Sequence, residues 1–244
     1  MKTVLITGSN GAIGQGLCKV FKEKEWKVIG IDLDKDSLGN TSAYQSINLD
    51  QLCKDSSYQI KSTNLIIEEC SKGLDVLINN AATQILAPLE KLTFQNWEKT
   101  ININLNSVFI LIKALLPMLE KVKGNVVNIA SIHATLTKSN FSAYATSKAG
   151  LIGLTNSLAV ELGSRVRVNA VCPAAIQTPM LDKGFANGAE DVKKLKDFHP
   201  TGSIGTVDDV VKAVLFLSDN KNLFVNGTVM NLDGGIAGVL HDLS

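Results

Sequence analysis

Tyr144 and Lys148 stand four residues apart in the segment Ser131 to Gly150, SIHATLTKSNFSAYATSKAG. On a helix beginning near Tyr144 this spacing puts both side chains on one face, so a phenol and an ammonium point into the same cleft. A free phenol has a pKa of about 10, and bringing it down by ~3 units takes roughly 4 kcal/mol of preference for the phenolate. A cation close by in a partly dry pocket supplies part of that, which makes the tyrosine a candidate acid and base near neutral pH. With three tyrosines in the chain, one Tyr-x-x-x-Lys arises readily by chance. The pair gains meaning only from the elements that position it.

Ser131 follows the apolar run Val126, Val127, Asn128, Ile129, Ala130. A hydroxyl at the carboxyl end of a strand lies where open α/β sheets gather their chemistry. At the N-terminus, Val4, Leu5 and Ile6 run into Gly8, Gly11, Gly14 and Gly16, and Ile13, Leu17, Val20 and Phe21 then recur at helical spacing. Strand, glycine turn and helix in that order set bare amides at a helix N-terminus, where donors and dipole stabilise a pyrophosphate. Gly8, Asn10, Gly11, Ala12, Ile13 and Gly14 are the candidate cradle. The next strand, Lys27 to Ile31, ends in Asp32. A carboxylate at that distance accepts bonds from ribose hydroxyls and repels a 2′-phosphate, so the expected cofactor is NAD rather than NADP.

Further strands are expected at Gln45 to Leu49, Asp75 to Ile78, Val126 to Ala130, Val166 to Val171 and Thr228 to Leu232. Helices are expected over residues 51 to 72, from Asn104 onward, from about Ser142 to Leu162, and from Val207 to Leu217. Strand and helix alternate with no linker or repeat, which predicts one doubly wound α/β domain over residues 1 to 244, its parallel sheet ordered 3-2-1-4-5-6-7. Residues 181 to 204 have weak periodicity with Gly184, Gly188 and Pro200, as a mobile lid over a substrate would.

Net charge of +1 and only two arginines, Arg165 and Arg167, argue against a nucleic-acid or membrane footprint. Cys18, Cys53, Cys70 and Cys172 show no Cys-x-x-Cys spacing and read as reduced thiols, and no metal site is expected from the three histidines. No segment is expected to span a membrane, which takes ~18 apolar residues, and MKTVLITGS does not read as a signal peptide, so the expected location is cytoplasmic.

Ser131, Tyr144 and Lys148 together resemble the short-chain dehydrogenase/reductase family, and the resemblance runs from residue 2 to residue 235. Thr7, Gly8 and Gly14 match its Thr-Gly-x-x-x-Gly-x-Gly turn, with Ala12 at the middle glycine. Asn79-Asn80-Ala81-Ala82 is similar to its Asn-Asn-Ala-Gly, and Pro173-Ala174 to its Pro-Gly, so two more alanines stand at family glycines. His199 to Gly205 resembles a stretch that usually carries arginine where Ser203 stands, and Asp233-Gly234-Gly235 resembles the family's ending. The resemblance implies a Rossmann-type fold and hydride transfer between NAD(H) and a secondary alcohol or ketone. Tyr144 would exchange the alcohol proton, Lys148 lower its pKa and hold the ribose, Ser131 orient the substrate oxygen, and Asn104 position a relay water. Asn48 and Leu49 would lie beside the adenine, Asn80, Ala81 and Ala82 along the nicotinamide ribose, and Pro173, Ile176 and Thr178 at the carboxamide. His133, Ala174 and Met180 would line the substrate pocket, and the family habit is a homotetramer or homodimer. Two other readings stand beside this one: a dinucleotide-binding sensor with little turnover, supported by the three alanines and Ser203, and a 3-oxoacyl reductase, opposed by Asp32 and the scarcity of arginine.

Overall fold

Runs of valine, isoleucine and leucine become strands with no exposed residue at β1 (Thr3–Thr7), β4 (Val76–Asn79), β5 (Asn125–Ile129) and β6 (Arg167–Pro173). β2 (Lys27–Asp32), β3 (Ala43–Ser46) and β7 (Val229–Leu232) complete a parallel sheet in the order β3-β2-β1-β4-β5-β6-β7. The computed structural model describes residues 1–36, 39–182 and 189–240. The seven strands and their order are those expected.

Because side chains alternate across a strand, each strand feeds two cores. On one face Leu5, Ile29, Leu77, Val126 and Val168 pack with Ile66 of α3 (Ser56–Glu69), Leu111 and Leu115 of α5 (Ser107–Glu120) and Leu151 of α6 (Ser142–Leu162). On the other face Val4, Ile6, Val28, Ile78 and Val127 pack with Leu17 and Phe21 of α1 (Ala12–Glu23) and with Val210 and Val214 of α9 (Val207–Ser218). Full burial of each such side chain contributes about 1.5–3 kcal/mol relative to exposure. Pairing of Asn79 with Asn128 and of Ile129 with Val171 sets the carboxyl ends of β4, β5 and β6 level, forming the rim on which the site is built.

The structure corrects several boundaries. The third strand ends at Ser46, so Asn48 caps a short helix, α2 (Leu49–Lys54), instead of belonging to the strand. The single helix expected over 51 to 72 breaks at Asp55, whose carboxylate accepts from Ser57 N and Tyr58 N and so starts α3. β6 begins one residue later than expected and runs on through Pro173. The helix expected from Asn104 is longer: α4 (Phe94–Ile101), a π-helical turn at Asn102–Asn106, and α5 follow without interruption. The run Phe94–Lys121, which contains an 18-residue stretch with a mean hydropathy of 1.5, is long and apolar enough by composition to cross a membrane, contrary to expectation. Here it is a core helix, its stripe of Val108, Leu111, Ile112, Leu115 and Leu119 buried against the sheet. In and just before the stretch 181 to 204, read as a lid, stand two short helices, α7 (Pro179–Asp182) and α8 (Ala189–Asp197). Gly184 and Gly188 lie outside the described residues.

Candidate active site

The glycine turn closes on itself and on β4. Gly8 has a φ of 67°, and a methyl group there would sit 2.8 Å from Ala81 Cα. At Gly14 a methyl would lie 2.0 Å from the Gly8 carbonyl oxygen. Ala12, at the position of a family glycine, is the first residue of α1, and no side chain caps that helix after Gly11. Asn80 N and Ala81 N donate to Thr7 Oγ1, and Asn80 Nδ2 donates to the carbonyls of Thr7 and Gly8, each at 3.0 Å. Thr7, which the motif carries without an assigned role, thus joins the turn to the tip of β4.

Asp32 lies beside the turn. Its Oδ2 accepts from Asn10 N and its Oδ1 from Leu33 N, both at 2.8 Å. Each carboxylate oxygen accepts more than one hydrogen bond, so both retain capacity for hydroxyl donors. Tyr44 of β3, which sequence reasoning missed, closes this corner through Asn10 Nδ2 and the Asp34 carbonyl. Burial, and then the charge of Asp32, push its phenol above the ordinary range. Asn48 directs its side chain elsewhere: Oδ1 accepts from Asp50 N and Gln51 N, while Leu49 is buried against the core.

Ser131, Tyr144 and Lys148 come together as expected. Ser131 is buried just past β5, close enough to the phenol of Tyr144 in the first turn of α6 to lower its pKa. Lys148 is 2% exposed; its Nζ donates to the Ile129 carbonyl at 2.7 Å and lies 5.7 Å from the centroid of the Tyr144 ring. The electrostatics differ from expectation. Burial raises the Tyr144 pKa, and the hydrogen bond from Ser131 is what lowers it. Burial also brings the Lys148 pKa down to about 8. The reason is that a site this dry penalises both charges, and Lys148 is turned toward a carbonyl rather than toward the phenol oxygen. Cys172, read from the sequence as a plain structural thiol, is buried at the end of β6 against Ser131 N, close enough to affect both Tyr144 and Lys148.

Asn104 sits in the π-helical turn, fully buried. Its Oδ1 accepts from Thr83 N at 2.8 Å, and its Nδ2 donates to the Thr83 carbonyl at 2.9 Å and to Ser147 Oγ at 3.0 Å. Ser147 Oγ in turn donates to the Tyr144 carbonyl at 2.7 Å. The Asn104 side chain is thus a brace: both amide hydrogens reach protein acceptors, and one of these fixes the turn that bears Tyr144. Asn102, in the same turn, donates its Nδ2 to Asp50 Oδ1 at 2.9 Å. Asn79 Nδ2 donates to Asn128 Oδ1, and Asn128 Nδ2 to Thr155 Oγ1, a buried chain that ties β4 to β5 and α6.

His133 forms one wall. Its ring stacks on Phe141 at 4.2 Å and meets Tyr144 edge-on at 5.8 Å, while Nδ1 pairs with Thr137 Oγ1. Burial, with Lys138 nearby, lowers its pKa to about 4, so the ring is neutral near pH 7. Phe141 carries no motif signal and was not anticipated. Pro173 ends β6; Ala174 N donates to the Leu232 carbonyl, and Ile176 pairs with Gly205. Thr178 Oγ1 accepts from Leu181 N at the start of α7. The Met180 side chain lies outside the described residues. The glycine turn, Asp32, the tip of β4 and the loop after β6 thus bound one rim, with Ser131, Tyr144 and Lys148 at its centre.

Comparison with known proteins agrees with this arrangement. A family model described as enoyl-(acyl carrier protein) reductase matches residues 8–237. An uncharacterized oxidoreductase of Schizosaccharomyces pombe is 34% identical over 238 residues, covering 96% of this chain and 90% of its own length. A 4-hydroxyisoleucine dehydrogenase complexed with NADH superposes with a TM-score of 0.89 at 28% identity, covering 98% of this chain and 100% of the other. ElxO with NADP bound gives 0.85 at 28% identity, covering 98% and 99%. Relatives of this extent, on a sheet of this order with a Ser-Tyr-Lys cluster at its carboxyl rim, establish that the chain belongs to the short-chain dehydrogenase/reductase family of oxidoreductases.

Proposed function

We propose that the protein transfers a hydride between NAD(H) and a secondary alcohol or ketone of a small molecule, with Tyr144 as the general acid and base. The observation that carries this reading is the gathering of Tyr144 with buried Ser131 and Lys148, the lysine amine lying 5.7 Å from the centroid of the tyrosine ring. The glycine turn fits a dinucleotide, since methyl groups at Gly8 and Gly14 would collide with backbone and α1 begins without a side-chain cap. When bound, NAD supplies the hydride acceptor. Asp32 would hold the adenosine ribose, Ala81 and Lys148 the second ribose, and Ile176 and Thr178 the carboxamide. Ser131 orients the substrate oxygen toward Tyr144, whose phenolate takes the alcohol proton during oxidation and whose hydroxyl returns it during reduction. Asn104 holds the Tyr144 turn through Ser147. His133 and Phe141 form the substrate wall.

The preference for NAD is part of the proposal. Its support is Asp32, whose negative charge and bond to Asn10 N stand where a 2′-phosphate would come. NAD should bind more tightly than NADP, and Asp32→Ser should narrow the gap; equal affinities in the unmodified protein would overturn the assignment. We also propose a cytoplasmic enzyme acting as a homo-oligomer through α5 and α6. The deciding experiment is Tyr144→Phe against a panel of secondary alcohols with NAD. Turnover should fall about 10²- to 10⁴-fold with NAD affinity unchanged. An unmodified protein that binds NAD and oxidises nothing in the panel would instead indicate a sensor.

A further inference from the structure

The corner proposed to hold the adenosine ribose is closed by a side chain that no motif signals, Tyr44 of β3. Tyr44 stands opposite Gly30 across β2 and β3, and the missing side chain at Gly30 is what lets the ring approach. A methyl group there would come 3.1 Å from Tyr44 Cδ2 and 2.9 Å from Ser9 Oγ. The ring thereby reaches the glycine turn, where its hydroxyl accepts from Asn10 Nδ2 at 3.1 Å and donates to the Asp34 carbonyl. Asn10 Nδ2 also donates to the Lys35 carbonyl at 3.0 Å, so one amide and one phenol tie the glycine turn to the chain that follows β2. Burial, and then the charge of Asp32, raise the Tyr44 pKa, so near pH 7 the phenol keeps the hydrogen that it donates.

These contacts converge on Asp32. Asn10 is the residue whose backbone N–H donates to Asp32 Oδ2 at 2.8 Å, and Leu33 N donates to Oδ1 at the same distance. On the Leu33 side the chain is fixed by Ser46 Oγ, which donates to the Leu33 carbonyl at 2.7 Å. On the Asn10 side the carboxylate is held only as firmly as the glycine turn, and α1 begins there with no side-chain cap to stiffen it. Tyr44 supplies that stiffness through the Asn10 amide. Asp36, held by Gly39 N and Thr41 Oγ1, and Asp34, held by its carbonyl, are also close enough to raise the Tyr44 pKa. Three carboxylates therefore bear on one corner, and a doubly charged phosphate entering it meets repulsion that a ribose hydroxyl does not.

We propose that Tyr44 is a positioning residue for cofactor choice: its hydroxyl, acting through Asn10, holds Asp32 and the turn in the arrangement that accepts a ribose 2′-hydroxyl and rejects a 2′-phosphate. The inference rests on the cofactor reading above and adds to it that Asp32 does not set the preference alone.

The test measures, by calorimetry on the full chain, the binding of 5′-AMP and of adenosine 2′,5′-bisphosphate, which differ only in the 2′-phosphate. In the unmodified protein 5′-AMP should bind more tightly. Tyr44→Phe keeps the ring and removes the hydroxyl. There 5′-AMP should weaken about threefold to tenfold, the size of one hydrogen bond, while the bisphosphate holds or gains, so the ratio of the two affinities narrows by at least that factor. Asn10→Ala should narrow the ratio at least as far, and adding Tyr44→Phe to it should narrow it no further, because the hydroxyl acts through that amide. An unchanged ratio in Tyr44→Phe, equal weakening of both nucleotides as a merely structural role would give, or full additivity in the double variant would overturn the proposal and leave the cofactor reading standing. Equal affinities in the unmodified protein would overturn the preference for NAD itself and this proposal with it.

Discussion

Tyr144 and Lys148 sit in a pocket dry enough to work against both of their charges, and Ser131 is the group that opposes this for the phenol. Removing Ser131 should therefore act on the acid-base step rather than on cofactor affinity. In Ser131→Ala the acid limb of the oxidation profile, where activity rises as Tyr144 loses its proton, should move to higher pH, because the hydrogen bond that lowers the Tyr144 pKa is gone. A profile of unchanged midpoint and reduced height would show that Ser131 only orients the substrate. Lys148 makes a second prediction. Its pKa of about 8 in the cofactor-free protein lies below the model-compound value of 10.5. A base depressed on folding adds stability that is complete above the unfolded value and is lost as pH falls through the folded value. Relative to Lys148→Met, the unmodified protein should thus gain about 3 kcal/mol between about pH 8 and 10.5, read by urea denaturation of both proteins. A constant difference across that window would mean that the amine is better solvated than its 2% exposure indicates.

At the scale of elements, the glycine turn and α1 are one unit. Gly14→Ala would bring a methyl group to 2.0 Å from Gly8 O and 2.8 Å from Ser9 Cα, both backbone atoms that cannot yield without moving the helix. NAD binding in calorimetry should be lost, with a destabilisation of about 1–3 kcal/mol, whereas Ala12→Gly, at the first position of α1, should leave binding intact. Equal effects at the two positions would show that the turn does not hold the cofactor. The contrast between these positions marks what a linear motif conveys. The spacing of Gly8, Gly14, Ser131, Tyr144 and Lys148 was legible because local rules fix strand, turn and helix register. What escaped was long-range. Thr7 meeting Asn80, Tyr44 meeting Asn10, and Asn104 meeting Ser147 join residues 73, 34 and 43 positions apart. Phe141 and Cys172 enter the site only because packing brings them there. The strand boundary before Asn48 was missed for a local reason: an asparagine can also cap a short helix, and here Asn48 does so.

The whole molecule has one sheet covered on both faces, yet α6 keeps an uncovered outer stripe. Ala149, Gly153 and Asn156 are exposed, Val160 is 85% exposed, and Phe109 of α5 is 47% exposed. The small residues of α6 divide between two uses. Gly150 faces inward, where a methyl group would lie 2.8 Å from Leu105 Cδ2, so part of the pattern serves packing within the subunit. At Gly153 an added methyl group meets nothing within 4 Å. That openness makes the position a clean probe of assembly, because substitution there leaves the fold of one subunit undisturbed. If two copies bring their α6 helices together, the close approach allowed by Ala149 and Gly153 buries the Val160 and Phe109 surfaces, and a charged side chain at 153 blocks it. Light scattering should therefore give a mass that is a multiple of 26.1 kDa for the unmodified protein and a smaller assembly for Gly153→Glu, with an unchanged circular dichroism spectrum. A monomer at micromolar concentration would overturn the oligomer. An unmodified mass in Gly153→Glu would move its interface to another face, leaving the small stripe of α6 without a partner.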